Sequence, residues 1–132
     1  MTLVDTNVFV DVLRGDPKWL PWSLRALADA RGRGGLATNF VVYAELHVHG
    51  TAGAHVDALL DRLGAPVLEM TRDAAQLAAA AFRRYRQRGG AKAGVLPDFL
   101  IGAHAASQGH ALLTRDAARY RTYFPQLTLV CP

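Results

Sequence analysis

The run Thr2-Leu3-Val4-Asp5-Thr6-Asn7-Val8-Phe9-Val10-Asp11-Val12-Leu13 passes from a β-prone triplet, through an acid, straight into a helical pattern. Thr6 is expected to cap a helix over 7–13, which Gly15 and Pro17 then stop. The same order returns near the other end. Ala111-Leu112-Leu113 is a short apolar run that stops at Thr114-Arg115-Asp116, and a short helix follows as far as Phe124-Pro125. Apolar strands this short, with helices between them, point to a mainly parallel sheet covered by helices on both faces.

The intervening chain fits that frame. Pro21 to Ala30 reads as a second helix, broken by Gly32-Arg33-Gly34-Gly35, and Leu36-Ala37 as a buried strand. Thr38 is expected to open a helix that runs to His49 and closes at Gly50. Ala54 to Leu63 is a further helix and Val67-Leu68 a strand. An alanine-rich helix starts at Thr71 or Asp73 and ends near Gln87, before Gly89-Gly90. Pro97 suits a first helical position, with Asp98 through Gln108 behind it. Leu127 to Val130 supplies a last strand. No repeat and no linker divides residues 1–132, so one domain is expected.

Composition removes several classes. The 132 residues are 51% hydrophobic and 20% charged, which gives enough apolar surface to fold and excludes a disordered chain. The lone Cys131 can form no intrachain disulfide and leaves no cysteine framework for structural zinc. Asp5 interrupts any secretory signal, and no apolar run approaches the about 20 residues that a bilayer requires. The expected address is the cytoplasm. The 15 Lys+Arg against 11 Asp+Glu give +4, which permits a polyanionic partner without requiring one.

The placement of the acids says more than their number. Ligands of open α/β sheets bind beyond the carboxyl ends of the strands. Asp5 and Asp116 each follow a strand there, and Asp98 lies in the first turn of its helix, where the macrodipole favours a carboxylate. Glu45 puts a charge beside the apolar Val41 and Val42. Taken singly, Asp5, Asp98 and Asp116 can be helix-terminal acids, and Glu45 can turn to solvent. Taken together, four converging carboxylates need a cation, and all-oxygen ligation suits Mg²⁺ or Mn²⁺. Such an ion could activate water for phosphodiester cleavage.

At these residues a family resemblance becomes specific. Leu3-Val4-Asp5-Thr6-Asn7-Val8-Phe9-Val10, Pro97-Asp98-Phe99-Leu100-Ile101-Gly102-Ala103-His104-Ala105 and Ala111-Leu112-Leu113-Thr114-Arg115-Asp116, with Glu45 between them, resemble a PIN-domain ribonuclease of the VapBC toxin type. The resemblance runs from Met1 to about Val130. It implies that Asp5, Glu45, Asp98 and Asp116 are the catalytic, metal-binding set, with Asn7 and Thr114 supporting it. It further implies an α/β/α sandwich, Mg²⁺- or Mn²⁺-dependent RNA hydrolysis, a homodimer and inhibition by a cognate antitoxin.

Arg83, Arg84, Arg86, Arg88 and Lys92 concentrate positive charge before Asp98. They read either as phosphate-holding cations beside an acidic site or as a solvated helix face, with Tyr85 either a base-stacking ring or a core residue. Arg14 and Arg115 adjoin the acids and join the RNA-binding candidates. His47 and His49 lie two apart and would face differently on a helix, which makes them a poor metal pair. His104 reads as a helix-packing or surface residue, and Trp19 and Trp22 as core or dimer contacts.

Two other functions compete. A haloacid-dehalogenase-like phosphatase also begins with an aspartate after a first strand, but it needs a second acid where Asn7 stands. A catalytically silent module that binds RNA or an antitoxin would have no use for four acids.

Overall fold

The computed structural model describes residues 1–48, 52–92, 94 and 96–132. Five strands form one all-parallel sheet in the order β3-β2-β1-β4-β5: β1 (Thr2–Val4), β2 (Leu36–Asn39), β3 (Val67–Leu68), β4 (Ala111–Leu113) and β5 (Leu129–Val130). Consecutive strand residues face opposite sides, and every residue of β1 and β2 is buried, so helices cover both faces. These are α1 (Thr6–Arg14), α2 (Leu20–Gly34), α3 (Phe40–Val48), α4 (Gly53–Leu63), α5 (Arg72–Gln87), α6 (Pro97–Gln108) and α7 (Ala118–Tyr123). The α/β/α sandwich is the expected one. No described helix is long and apolar enough to cross a membrane.

The element boundaries moved in four places. Asp5, not Thr6, caps α1: it is extended (φ −74, ψ 156), and its carboxylate accepts the Thr6 N–H at 2.7 Å. Thr6 becomes the first helical residue, and its hydroxyl is left for other work. The second helix continues past Ala30 to Gly34, because glycine in an exposed turn costs only about 1 kcal/mol. The break comes at Gly35, at φ 90, whose carbonyl accepts the Thr2 N–H at 2.9 Å. The last strand is shorter than the expected 127–130, since Leu127 N–H turns back to the Phe124 carbonyl.

The fourth change is at β2. Thr38 belongs to the strand, paired with Val67, and Asn39 caps α3 by accepting the Val42 N–H on Oδ1 at 3.0 Å. That bond fixes the orientation of the Asn39 amide. Nδ2 must therefore donate to His104 Nδ1, 3.1 Å away, which makes His104 a neutral Nε2–H tautomer. Burial first, and His110 second, hold the His104 pKa below the usual imidazole range, in keeping with that form. His104 is thus a buried packing residue on α6 that ties it to the β2–α3 junction. The expected helix end at His49–Gly50 lies outside the described residues.

The helix α7 seats on α6 through a missing side chain. A Cβ on Gly102 would stand 2.6 Å from Phe124 Cε2 and 3.0 Å from Tyr120 Cδ1. Both rings rest on the α6 backbone, and a methyl group there must push them out. Gly102→Ala is expected to destabilise the protein by about 1–3 kcal/mol in urea unfolding, despite alanine's better helix propensity. An unchanged midpoint would show that α7 is not anchored at this point.

Candidate active site

The strand order reverses between β1 and β4: the chain moves from β1 to β2 and β3 on one side, then returns to β4 and β5 on the other. A crevice therefore opens beyond the carboxyl ends of β1 and β4. Register sets what stands in it. Val4 pairs with Leu113, and Asp5 N–H donates to the Leu113 carbonyl at 2.9 Å, so Asp5 and Thr114 emerge side by side.

Asp5 is 5% exposed and held by four donors. Oδ1 accepts the Thr6 N–H, while Oδ2 accepts the Thr114 hydroxyl at 2.8 Å, the Tyr120 hydroxyl at 3.0 Å and Asn7 Nδ2 at 3.4 Å. Asn7 Nδ2 also reaches Thr114 Oγ1 at 3.3 Å, and its Oδ1 accepts the Arg115 N–H at 3.1 Å. Thr114 Oγ1 in turn accepts the Asp116 N–H at 3.1 Å, which ties the fourth acid to the first. Asn7 and Thr114 thus both bond Asp5 and each other. From α3, Glu45 comes in to accept the Thr6 hydroxyl on Oε1 at 2.6 Å. Asp98, at the start of α6, accepts Arg119 Nη1 at 3.2 Å.

Asp5, Glu45, Asp98 and Asp116 together line one cavity of about 300 Å³, with Asn7, Arg115 and Tyr120 in its wall. They surround it without meeting: among the described residues, no three His, Cys, Asp or Glu side chains form a ready-made ligand cage. A shallower groove of about 430 Å³, lined by Tyr85, Arg119, Thr122 and Tyr123, adjoins the cavity and shares Asp98 and Asp116 with it.

The site is electrostatically tense. Burial, followed by the charge of Asp98, pushes Asp5 up to about 6, against the pull of its Thr114, Thr6 and Tyr120 donors. Burial and Asp116 raise Asp98, which Arg119 partly offsets. Burial and the Asp5 and Asp98 carboxylates drive the Tyr120 phenol well above its usual range, so it stays a proton donor.

The basic residues divide. Arg115 lines the cavity, but Arg83, Arg84, Arg86, Arg88 and Lys92 line neither it nor the groove. Arg84 Nη2 donates to the Tyr123 carbonyl at 2.7 Å, Arg86 Nη1 to the Gly90 and Lys92 carbonyls, and Arg88 stacks 5.5 Å over Tyr123. Tyr85 is half-buried: it packs among Phe82, Phe99 and Tyr123 and also lines the groove.

Four contributors escaped the sequence. Tyr120 and Arg119 lie four and three residues after Asp116, a helical spacing that could have suggested them. The Thr6 contact to Glu45 and the pairing of Asp11 with Arg115 span 39 and 104 residues and carry no local signal.

Comparison with known proteins agrees with this architecture. The family model for the PIN domain matches residues 2–125. The fold is similar to VapBC2 from Rickettsia felis bound to a promoter DNA fragment, at 19% identity and a TM-score of 0.72, covering 99% of this chain and 98% of that one. It is similar to VapBC-1 from nontypeable Haemophilus influenzae at 18% identity and 0.71, covering 98% and 96%. A toxin–antitoxin complex from Klebsiella pneumoniae matches at 21% identity and 0.65, with the same coverage. No curated protein sequence matches the chain.

The raised Asp5 pKa has a definite sign. Between about pH 4 and 6 the folded chain keeps on Asp5 a proton that the unfolded chain has released, so the contribution of Asp5 to stability is fully present below about 4 and is lost as pH rises to about 6. In chelator, the wild type is expected to lose roughly 3 kcal/mol relative to Asp5→Asn across that window. Urea unfolding of both proteins from pH 4 to 7.5 measures it, and parallel profiles would mean Asp5 is not under strain.

Proposed function

The chain belongs to the PIN domain family, and from that premise we propose a metal-dependent endoribonuclease that acts as the toxin of a type II toxin–antitoxin pair and is neutralised by a cognate antitoxin. The observation that carries the reading is the convergence of Asp5, Glu45, Asp98 and Asp116 on one cavity at the topological switch point. Asp5 and Asp98 are both raised by burial and by a neighbouring carboxylate, and a cation would relieve that repulsion.

The donor set fits Mg²⁺ or Mn²⁺. All donors are oxygens, and a hydrated Mg²⁺ takes one or two carboxylates directly and reaches others through its waters. Carboxylates spaced around a cavity of about 300 Å³ suit that habit better than a tight cage would. Asp5, Asp98 and Asp116 would hold the ion, with Glu45 as a further ligand or as the group that orients the attacking water. When bound, the ion supplies a lowered pKa for water and countercharge for the phosphodiester.

The remaining work falls to the chain. Thr114, Tyr120 and Asn7 crowd donors onto Asp5 Oδ2, which fixes the plane of that carboxylate and holds it in place. The Thr6 hydroxyl does the same for Glu45, leaving one oxygen to accept a proton from water. Arg115, in the cavity wall, is proposed to hold an RNA phosphate near an acidic centre that would otherwise repel it, and Arg83, Arg84, Arg86, Arg88 and Lys92 to meet the strand farther from that centre.

The antitoxin partner is inferred from the solved relatives, which are toxin–antitoxin complexes. A homodimer is supported by α3, where Phe40 (58% exposed), Ala44 and Val48 (81% exposed) recur every four residues on one apolar face.

Two measurements test the reading. Asp98→Asn and Asp116→Asn are each expected to lower Mg²⁺-dependent cleavage of total RNA on the order of 100-fold or more while leaving the fold intact. Wild-type cleavage by either variant, or full cleavage in chelator, would remove the mechanism. Phe40→Asp combined with Val48→Asp should convert a dimer to a monomer in light scattering.

A further inference from the structure

Asp11 is the acid that the nuclease reading leaves unused, yet at 1% exposed it is buried more deeply than Asp5. It does not line the cavity. Arg115 Nε and Nη2 donate to its Oδ2 and Oδ1 at 2.7 and 2.9 Å, and Ser23 Oγ, reaching across from α2, donates to Oδ2 at 2.7 Å. The guanidinium also lies 5.1 Å over the Trp19 ring, and the Arg115 N–H is bound to Asn7. One arginine is therefore fixed from three directions.

A buried ion pair adds little net stability, but it does fix geometry. Asp11 saturates the Nε–Nη2 edge of Arg115 and fixes the plane of its guanidinium. A guanidinium has a second edge, Nη1 with Nη2, that can make another pair of parallel bonds. In Arg115, Nη1 takes no hydrogen-bond partner among the described residues and Nη2 bonds only Asp11, with Asp16 acting on the guanidinium through its charge; the side chain is 25% exposed and lines the acidic cavity.

We propose that Arg115 grips a phosphate of the RNA strand beside the scissile bond through its free edge, and that Asp11, Ser23 and Trp19 are its positioning residues. The identity of the anion rests on the endoribonuclease reading. The arrangement makes Asp11 a support for the phosphate site and not a fifth metal ligand.

Binding and cleavage separate the two ideas. A labelled single-stranded RNA is titrated by anisotropy into protein carrying Asp5→Asn, over a range of salt, and Mn²⁺ is titrated by calorimetry into the same variants without Asp5→Asn. Adding Arg115→Lys keeps a cation beside Asp11 but lacks the second edge, and should weaken RNA binding about 10-fold. Adding Asp11→Asn should weaken it about threefold with an unchanged salt slope, because the charge remains but its anchor is gone. Asp11→Asn with Arg115→Ala removes both charges, so no buried carboxylate is left unpaired, and should reduce the salt slope by about 0.7. No variant should bind Mn²⁺ more weakly than the wild type, and loss of the Arg115 charge from the cavity wall can only favour the ion.

Parental affinity in Arg115→Lys, a full salt slope in the double variant, or no RNA binding by the parent would each overturn the proposal. Weakened Mn²⁺ binding in Asp11→Asn would also overturn it, by making Asp11 part of the metal site. A wild type that binds RNA and Mn²⁺ but cuts nothing would retire the nuclease reading and leave the Arg115 result standing.

Discussion

The hydrogen bond from the Asp5 N–H to the Leu113 carbonyl is the rung with which the β1–β4 pairing ends, and the acidic site is built upon it. It carries a carboxylate out of the buried sheet at the point where strand order reverses, with Thr114 as its immediate neighbour. A carboxylate this buried is tolerable only with donors around it. Asp5 has Thr6, Thr114, Tyr120 and Asn7, which come from α1, from the end of β4 and from α7. Holding one acid thus recruits three parts of the chain, and the other acids arrive on the same elements or on those packed against them.

Two such attachments govern how accurately they arrive. Asn39 caps α3, which carries Glu45, and the same amide grips His104 on α6, which carries Asp98. The absence of a side chain at Gly102 lets the rings of Tyr120 and Phe124 settle on α6, and so lets the Tyr120 hydroxyl reach Asp5. Neither feature touches the cavity's chemistry directly. Both set distances within it, since packed helices transmit a displaced ring or a lost cap to the residues beyond.

The charge distribution follows a similar economy. A net charge of +4 describes the whole chain, but the cavity concentrates four of its 11 acids. Two arginines stand nearest: Arg115, pinned by a buried pair on Asp11, and Arg119, bonded to Asp98 and lying over the rings of Tyr85 and Phe99. The cations of α5 lie outside the cavity, where Arg84 and Arg86 serve backbone carbonyls.

Much of this was legible in the sequence. Short apolar runs that end on an acid, with helices between them, were enough for a parallel α/β sheet, because strand length, turn residues and helical spacing are local properties. The four acids that line the cavity, and the Asn7 and Thr114 that bond Asp5, could be named for a related reason: all but Glu45 sit at a strand end or an early helical turn, in segments whose order and spacing resemble a known family. The helix boundaries at Thr6, Gly35 and Thr38 could not be read, since a cap or a break there is decided by what lies opposite in space. Nor could the partners of Asp5 and Arg115, because Tyr120 and Asp11 are 115 and 104 residues away from them along the chain. The sequence by itself determined which residues carry charge and which segments form strands and helices. Only the tertiary structure decided which of two similar aspartates on one helix-and-strand unit faces a cavity and which is neutralised beneath it, because that depends on burial and on partners brought in from the far end of the chain.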